Sequence, residues 1–452
     1  MSLPRVLVVA HNHPSLHPGG TEIFAHELFG SLKAKGAEAL FLACTNGVHR
    51  DRKPGTNLQT LGRSADEVVL WAGHFDHFFQ SQIDLHGIVP DLSNLLRAFQ
   101  PDIVHIHHTL LLGVEMLFLI RRVCPRARIV YTLHDYYPIC ANDGQMVTTN
   151  GHALCRMASP DACHRCFPDR PADQFVLREK HIKAMFGLVD HFLAPSAFLR
   201  DRYIAWGIDP DSISVMENGR PAVRPAPHRP LPAGAPRNAF AYFGNLNPFK
   251  GITVALDAAA RLEKQGQDLT LAVHGGAPFQ TDAFKDRVEQ GFKGARGTAV
   301  RHGPYRREEM PELMAAADWV VMPSIWWENA PLVIREAFQH RRPVICSGIG
   351  GMAESVTDGV DGLHFRAGDA ADLARVMTRA MTEPGLWDRL VSNMPAVPTT
   401  GESAEKHVIL YDDIMNGPGD RTGKHMGRAR LRGASRDEGT DHQGRHHGGH
   451  SS

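Results

Sequence analysis

The most constraining feature of this sequence is a stretch with the pattern strand, helix start, helix, strand. Trp319–Met322 is a short apolar run of the kind found in buried parallel strands. Asn329 is a good N-cap residue, and Pro331 falls in the first helical turn, where a missing N–H costs nothing. Residues 343–346 begin the next apolar run. Two strands joined by a helix predict a parallel α/β sheet, which binds ligands at its carboxyl edge.

The start of this helix is also a predicted anion site, because a helix N-terminus favours negative charge. Glu328 lies just before it, and Glu336 follows eight residues later, roughly 12 Å along the helix axis. Ionised carboxylates only accept hydrogen bonds, so one glutamate suits sugar hydroxyls and the other a ribose diol. The pattern therefore suits a nucleoside diphosphate-sugar, although two surface glutamates at an ordinary helix start would have the same spacing.

Length and charge limit the classes of protein that fit. A chain of 452 residues predicts two α/β domains and a tail rather than one core. Lys+Arg and Asp+Glu both number 49, and basic residues do not interleave with aromatic ones, so we predict no nucleic-acid partner. The first apolar run is too short for a signal peptide, and no stretch approaches the length of a membrane span. We expect a cytoplasmic protein, compatible with peripheral contact at the inner membrane face.

The alternation of strands and helices occurs twice. We predict an N-terminal α/β domain over residues 1–219 and a C-terminal one over residues 238–395. Residues 220–237 contain six prolines, which is typical of an interdomain linker. Residues 396–416 hold a predicted final helix, and residues 417–452 have the composition of a disordered tail. The predicted strands lie at residues 6–10, 39–43, 102–108, 128–133, 191–194, 213–216, 240–243, 269–274, 299–302, 319–322, 343–346 and 362–365.

Candidate site residues also follow strands in the N-terminal half. His134 and Asp135 come directly after the strand predicted at 128–133, which makes them the best catalytic candidates there. Gly19 and Gly20 form a turn that opens the first helix, where backbone N–H groups can approach a phosphate. The same turn could be only a tight connection.

Lys250 is the corresponding candidate in the C-terminal half. It lies on a glycine-bounded loop, residues 244–251, that leads into a helix predicted at 252–264. A lysine there can neutralise a diphosphate as a point charge. Its position is equally compatible with a solvated surface lysine.

Four of the seven cysteines are clustered in an insertion over residues 136–170. Two interpretations stay open: a structural zinc site that orders this segment, or free thiols with an occasional disulfide. We expect no metal in catalysis. The four residues are Cys140, Cys155, Cys163 and Cys166.

Seven motifs, in order, resemble those of the family 4 glycosyltransferases, from about residue 5 to about residue 415. The resemblance implies a GT-B fold: two facing Rossmann-like domains, an interdomain cleft, and a final helix that crosses back to the N-terminal domain. The motifs are Gly19-Gly-Thr-Glu22, the strand at 102–107, Tyr131-Thr-Leu-His-Asp135, Ala194-Pro-Ser196, Glu217-Asn-Gly219, Phe243-Gly with Lys250-Gly251, and Glu328-x7-Glu336 with Pro331.

The resemblance also implies a role for each site residue. Glu336 would hold the ribose hydroxyls, Glu328 the transferred sugar and Lys250 the diphosphate. His134, beside Asp135, would line the donor-sugar pocket near the acceptor. The other implied donor-binding residues are Gly19, Gly20, Asn245, Asn329, Pro331 and the residues whose amides face the diphosphate, Ala330 and Leu332.

Asn245 departs from the family pattern, in which many members carry an arginine after the strand-ending glycine. Asparagine donates a hydrogen bond but brings no charge. We therefore expect the diphosphate to depend more on Lys250 and on helix dipoles. The candidate compensating arginines are Arg301, Arg306 and Arg335.

The implied activity is metal-independent transfer of a hexose-type sugar, with retention, from a nucleoside diphosphate-sugar. The implied acceptor is a glycan, a lipid-linked glycan or a small molecule, in polysaccharide or cell-surface glycan synthesis. Two alternatives are a nucleotide-sugar epimerase of the same fold and a non-catalytic binding or scaffold protein. The presence of Glu328, Glu336 and Lys250 argues against a scaffold.

Overall fold

The computed structural model describes residues 3–61, 64–151, 153–232, 234–278 and 280–417. The predicted disordered tail, residues 417–452, lies outside the described residues except for its first one. The N-terminal elements are β1 Val6–Ala10, α1 Gly20–Ala34, β2 Ala39–Thr45, β3 Leu58–Thr60, β4 Glu67–Trp71, β5 Phe75–Asp76, β6 Ser81–Gln82, α2 Leu85–Phe99, β7 Ile103–Ile106, α3 Met116–Val123, β8 Arg128–Thr132, α4 Pro160–Cys166, α5 Ala172–Phe186, β9 His191–Ala194, α6 Ala197–Trp206 and β10 Ile213–Val215.

The C-terminal half follows after residue 238 and ends with a long helix. Short 3-10 turns lie at Pro210–Ser212, Pro248–Lys250 and Arg307–Glu309. The strands and helices are β11 Ala239–Phe243, α7 Ile252–Lys264, β12 Thr270–His274, α8 Asp282–Gly294, β13 Ala299–Gly303, α9 Met310–Ala316, β14 Trp319–Met322, α10 Leu332–Gln339, β15 Val344–Ser347, α11 Gly350–Ser355, β16 Gly362–Phe365, α12 Ala370–Thr382, α13 Leu386–Asn393 and α14 Thr400–Asn416.

The first sheet is doubly wound around β1. Its strand order is β10-β9-β8-β7-β1-β2-β4-β3, and its neighbours pair in parallel except for β3 with β4. Every residue of β1 is buried, as expected for a strand covered by helices on both faces. The strand order reverses between β1 and β7, and a ligand crevice is expected outside this point.

The second sheet is wholly parallel and has the order β13-β12-β11-β14-β15-β16. This is the strand order of a dinucleotide-binding fold, with its reversal between β11 and β14. The loops that leave these two strands carry Lys250 and Glu328. The topology therefore brings the two candidate residues to one crevice, as the sequence pattern predicts.

The last helix, α14, packs against the first sheet rather than the second. Ala404 and Tyr411 are fully buried in the same apolar cluster as Val6, Val8 and Ala10 of β1. The predicted crossing of the final helix back to the N-terminal domain is confirmed. None of the helices in the described ranges is both long and apolar enough to cross a membrane.

Several elements were absent from the sequence-based prediction. The most informative are β4, which extends the first sheet, the amphipathic helix α2 and the polar helix α8. α8 has a single apolar stripe of Phe284 and Val288 in an otherwise charged segment, so its periodicity is weak. The cysteine-bearing insertion is also more ordered than predicted, because it contains α4, which is capped by the Ser159 hydroxyl.

Candidate active site

Lys250 and Glu328 form an ion pair where the loops after β11 and β14 meet. Lys250 Nζ lies 2.7 Å from Glu328 Oε1. Lys250 ends a 3-10 turn, which the Asn247 side chain fixes by accepting a hydrogen bond from the Lys250 N–H (2.9 Å). Gly251 follows with φ of +68°, and a Cβ there would lie 1.8 Å from the Pro323 carbonyl oxygen. Only glycine lets this loop pack against the end of β14.

The Glu328 carboxylate is oriented by three donors on one oxygen. Oε1 accepts from the Ser324 hydroxyl (2.8 Å), from Trp326 Nε1 (2.7 Å) and from Lys250. The residue is only 6% exposed, so it is held in place by its neighbours rather than by solvent. Its second oxygen takes part in none of these bonds and is the atom that a sugar hydroxyl could reach.

Glu336 is paired with an arginine that the sequence-based prediction missed. Arg220 Nη2 donates to Glu336 Oε1, and Arg220 Nη1 lies 3.6 Å from Glu27 Oε2 on α1. Arg307 contacts the other oxygen of Glu27. Burial raises the pKa of Glu336, although Arg220 and Arg307 oppose the shift. The carboxylate predicted for the ribose thus belongs to a charge network that joins the two domains.

Asn329 is not the N-cap of α10, so that prediction was wrong. α10 begins at Leu332, and its N-cap is Pro331, which offers no side-chain hydrogen bond. The Asn329 amide Nδ2 instead donates to the His134 carbonyl oxygen at 2.6 Å. Ala330 is half-buried in the connection between Asn329 and α10. A short amide side chain suits both uses, and only the folded chain shows that it bridges the domains.

The Gly19–Gly20 turn faces the start of α10. Gly20 is the first residue of α1, and a Cβ on it would lie 3.5 Å from Leu332 Cδ1. A Cβ on Gly19 would lie 2.4 Å from Glu22 Oε2. Glycine at this position lets Glu22 fold back, where its carboxylate lies 3.0 Å from His11 Nε2. The turn and the helix start predicted to bind the diphosphate are therefore neighbours across the cleft.

His134 is held neutral and Asp135 is held ionised. Burial lowers the pKa of His134 to about 3, so its imidazole is neutral, and its Nε2 lies 3.0 Å from His107 Nδ1. Burial alone would raise the pKa of Asp135. His108, whose Nε2 lies 2.9 Å from Oδ2, and the Tyr137 N–H outweigh burial and lower it. The site thus offers a neutral imidazole beside an ionised carboxylate.

Further histidines continue inward from His134 to the last helix. The rings of His107 and His105 lie 4.3 Å apart. His105 Nδ1 lies 2.6 Å from the Tyr411 hydroxyl on α14, and its Nε2 lies 2.7 Å from Thr132 Oγ1. Burial lowers the pKa of both His105 and His107 well below the usual value. His105 therefore has a structural role, since both of its ring nitrogens contact buried groups.

The region of Asn245 offers no additional free arginine among the candidates named from the sequence. Asn245 is exposed, and its carbonyl accepts from the Tyr242 hydroxyl at 3.1 Å. Each candidate arginine is already paired with a glutamate. The pairs are Arg301 with Glu289 (2.5 Å), Arg306 with Glu309 (3.2 Å) and Arg335 with Glu217 (2.9 Å).

The four clustered cysteines are neighbours, but their sulfurs do not converge on one point. Burial raises the pKa of Cys163 to about 11, and Cys140, Cys155 and Cys166 are close enough to raise it further. All four are free thiols. In the described part of the chain they do not form a group of ligand atoms within 4.8 Å of one another. A zinc ion would need these thiols to move closer together and ionise.

Comparisons with known proteins agree with this architecture. A family model described as Glycosyltransferase Family 4 matches residues 18–223, and one described as Glycosyl transferases group 1 matches residues 237–383. The chain is 27% identical over 157 residues to alpha-D-kanosaminyltransferase of Streptomyces kanamyceticus. That match covers 35% of this chain and 40% of the relative.

Two longer matches cover most of the chain. Glycogen synthase of Mycobacterium tuberculosis H37Rv is 24% identical over 404 residues, covering 85% of this chain and 88% of the relative. The fold is similar to the crystal structure of Anabaena HepE in complex with UDP, with a TM-score of 0.61 and 18% identity. That similarity covers 90% of this chain and 97% of HepE.

Two doubly wound parallel sheets are the architecture of the GT-B fold, which this chain shares with solved glycosyltransferases. The two matched family models divide the chain between its N-terminal and C-terminal halves. The chain belongs to the family 4 glycosyltransferases.

Proposed function

We propose that this glycosyltransferase moves a hexose-type sugar, with retention of configuration, from a nucleoside diphosphate-sugar to a glycan, a lipid-linked glycan or a small molecule. The observation that carries the proposal is the Lys250–Glu328 pair at the strand-order reversal of the second sheet. A cation for the diphosphate and a carboxylate for sugar hydroxyls lie side by side there. The binding of UDP by HepE, which shares the fold, supports a nucleotide donor.

The donor would compete with two ion pairs of the site. Its diphosphate would bind Lys250 in place of Glu328, while its ribose hydroxyls would donate to the Glu336 carboxylate in competition with Arg220. Each broken pair leaves a carboxylate free to accept from a hydroxyl group. The N–H groups at the start of α10 and at the Gly19–Gly20 turn would add positive potential around the phosphates.

The proposed chemistry is front-face displacement. The acceptor hydroxyl oxygen bonds to the anomeric carbon on the face from which the diphosphate departs, and the bond from that carbon to the phosphate oxygen breaks. The departing diphosphate takes the hydroxyl proton. Lys250 and the helix N-terminus stabilise the charge that develops on it, so no metal is required. Neutral His134 can hydrogen-bond the sugar without repelling the cationic anomeric centre.

The setting of the reaction is also part of the proposal. Polysaccharide or cell-surface glycan synthesis, in the cytoplasm and at the inner membrane face, would bring such an enzyme to its acceptor. The cysteine-bearing insertion would lie beside that acceptor, because Trp327 Nε1, next to Glu328, donates to the Cys155 carbonyl oxygen at 3.0 Å. A structural zinc held by Cys140, Cys155, Cys163 and Cys166 would fix this wall of the cleft.

Thermal unfolding with a panel of nucleoside diphosphates and their sugars tests the donor site. We expect one diphosphate to raise the unfolding temperature of the wild type and to lose this effect in Glu336→Ala. Glu217→Ala, which removes an exposed pair with Arg335, is the matched control and should keep it. A panel in which no nucleotide stabilises the wild type would contradict the proposal. An epimerase would release free sugar without an acceptor, which product analysis detects.

A further inference from the structure

His13, His26 and Glu67 form a group that the proposed reaction does not use. His13 lies in the loop after β1, His26 on α1, and Glu67 is the first residue of β4. His13 Nε2 lies 2.8 Å from Glu67 Oε2, and His26 Nε2 lies 3.1 Å from the same oxygen. In the described part of the chain, this is the group whose ligand atoms all lie within 4.8 Å of one another. From this geometry we infer a binding site for a zinc-like divalent transition metal ion.

The ligand types select the metal. Two imidazoles and one carboxylate form the three-residue set that zinc uses when a fourth position is left to water. Imidazole favours zinc and copper over magnesium or calcium, which prefer oxygen ligands. Ligand atoms of a tetrahedral zinc ion lie about 3.4 Å apart. The separations from Glu67 Oε2, 2.8 Å to His13 and 3.1 Å to His26, would need to widen by about 0.6 Å and about 0.3 Å, which rotation of the Glu67 side chain can supply.

The surroundings hold the two imidazoles in place. Both rings pack edge-on against Phe41, at 5.6 Å for His13 and 5.2 Å for His26. Such packing supplies the apolar shell that metal sites commonly have, and it fixes the ring planes before an ion binds. The His26 side chain is 35% exposed and the Glu67 side chain 22%, so an ion and a water ligand can reach the site from solvent.

Ser15 can adapt to the bound and the free state. Its backbone N–H donates to His13 Nδ1 at 3.1 Å, which puts the ring proton on Nε2, facing Glu67. A metal ion requires the opposite tautomer, with a free lone pair on Nε2. In that tautomer the Ser15 N–H no longer has Nδ1 as its acceptor, and the Ser15 hydroxyl, 2.7 Å from Nδ1, accepts the ring proton. A hydroxyl that either donates or accepts is a suitable outer partner for a metal-binding histidine.

The proposed ion would tether the loop that precedes α1. His13 belongs to the same connection as Gly19, which caps α1 beside the cleft. An ion shared with α1 and β4 would fix this connection at two further points. We assign the site a structural role in holding the Gly19–Gly20 turn, not a role in the transfer step.

The test uses zinc alone on the full-length, chelator-treated protein and on His26→Gln. Glutamine keeps an N–H donor for Glu67 but is a poor zinc ligand. This variant therefore distinguishes a metal-binding role of His26 from a role as a hydrogen-bond donor only. The measurements are bound zinc and the unfolding temperature. Zinc should raise that temperature by about 2–5 °C in the wild type. His26→Gln should bind one equivalent of zinc less than the wild type, and zinc should no longer raise its unfolding temperature.

The controls exclude the other zinc ligands of the chain. The four clustered cysteines and the histidines beyond residue 417 are unchanged in His26→Gln, so only the difference from wild type counts. His86→Ala removes an exposed histidine of α2 and should respond like the wild type. Glu67→Gln is a second variant and should weaken zinc binding at this site more than about 100-fold, beyond the loss of an outer partner. Equal zinc content and an equal temperature rise in wild type and His26→Gln would overturn the proposal.

Discussion

The two faces of the cleft differ in the side chains that they offer to a ligand. The face formed by the second sheet carries charged side chains in ion pairs, Lys250 with Glu328 and Glu336 with Arg220 of the interdomain segment. The face formed by the first sheet carries buried histidines with lowered pKa values, from His134 inward. One face is ready to exchange ion pairs with a charged ligand, and the other places neutral imidazoles beside the ionised carboxylate of Asp135.

This difference fits the two substrates that such a cleft must hold. A nucleoside diphosphate is a polyanion and can exchange one ion pair for another at little net cost. A sugar hydroxyl is neutral and needs donors and acceptors at fixed positions. A buried charge without a partner would be costly, which explains why burial lowers the pKa values of His105, His107 and His134. His11 is buried too, but its partner Glu22 outweighs burial and raises its pKa. Three experiments test this difference between the two faces.

The largest effect is expected from Arg220→Ala. Arg220 is 3% exposed and faces two carboxylates, those of Glu27 and Glu336. Its removal leaves two buried negative charges without this counterion, and we expect a loss of about 3–5 kcal/mol in the free energy of unfolding. Urea unfolding measures it. Arg301→Ala, which removes an arginine from a pair whose side chains are 41% and 50% exposed, should cost less than about 1 kcal/mol.

Equal free energies of unfolding in these two variants would show that the charge network around Arg220 stabilises the fold no more than an exposed ion pair does. A selective loss in Arg220→Ala that is reversed by Glu336→Gln in the same chain would assign the cost to the unpaired carboxylate. The double variant matters because arginine side chains also contribute packing.

The next largest effect is expected from Lys250→Ala. If Lys250 stabilises the departing diphosphate, its loss should lower kcat by about 100- to 1000-fold, the size of one preorganised electrostatic contact. Steady-state transfer with the donor found in the thermal panel measures it. Lys250→Arg keeps the charge and should recover part of the rate. A turnover near wild type in Lys250→Ala would remove the electrostatic part of the mechanism.

The sequence predicted most of the sheets because buried parallel strands are short and apolar. Val6–Ala10, His191–Ala194, Trp319–Met322 and Gly362–Phe365 agree with the structure residue for residue. The strand predicted at 102–108 is shorter, Ile103–Ile106, because His107 and His108 turn into the polar network at its end. Apolar runs therefore mark where a strand lies more reliably than where it ends.

The charge network was not predictable in the same way. Arg220 was assigned to the proline-rich linker, and its only local signal is that it follows the Glu217-Asn-Gly219 turn. Its partners lie on α1 and α10, far away in the sequence. The hydrogen bond between His105 and Tyr411 spans 306 positions. Neither contact leaves a periodic pattern, so only the assembled fold shows them.

The smallest of the three effects is the pH dependence of stability that the buried histidines produce. His407 on α14 is 1% exposed, and its Nδ1 lies 2.7 Å from the Ser403 carbonyl oxygen. Burial lowers its pKa from 6.5 to about 4. Below pH 6.5 the unfolded chain binds a proton that the folded chain refuses, so stability falls as pH falls from about 6.5 towards 4.

Between pH 7.5 and pH 5, His407 alone should remove about 2 kcal/mol of the free energy of unfolding. Urea unfolding at these two pH values measures the loss, and His407→Gln should reduce it by that amount. His105, His107 and His134 have lowered pKa values too, so the variant should keep part of the pH dependence. His86→Gln, at an exposed position, should leave it unchanged. An equal loss in wild type and His407→Gln would mean that His407 has the same pKa in the folded and the unfolded chain, contrary to the effect expected from burial.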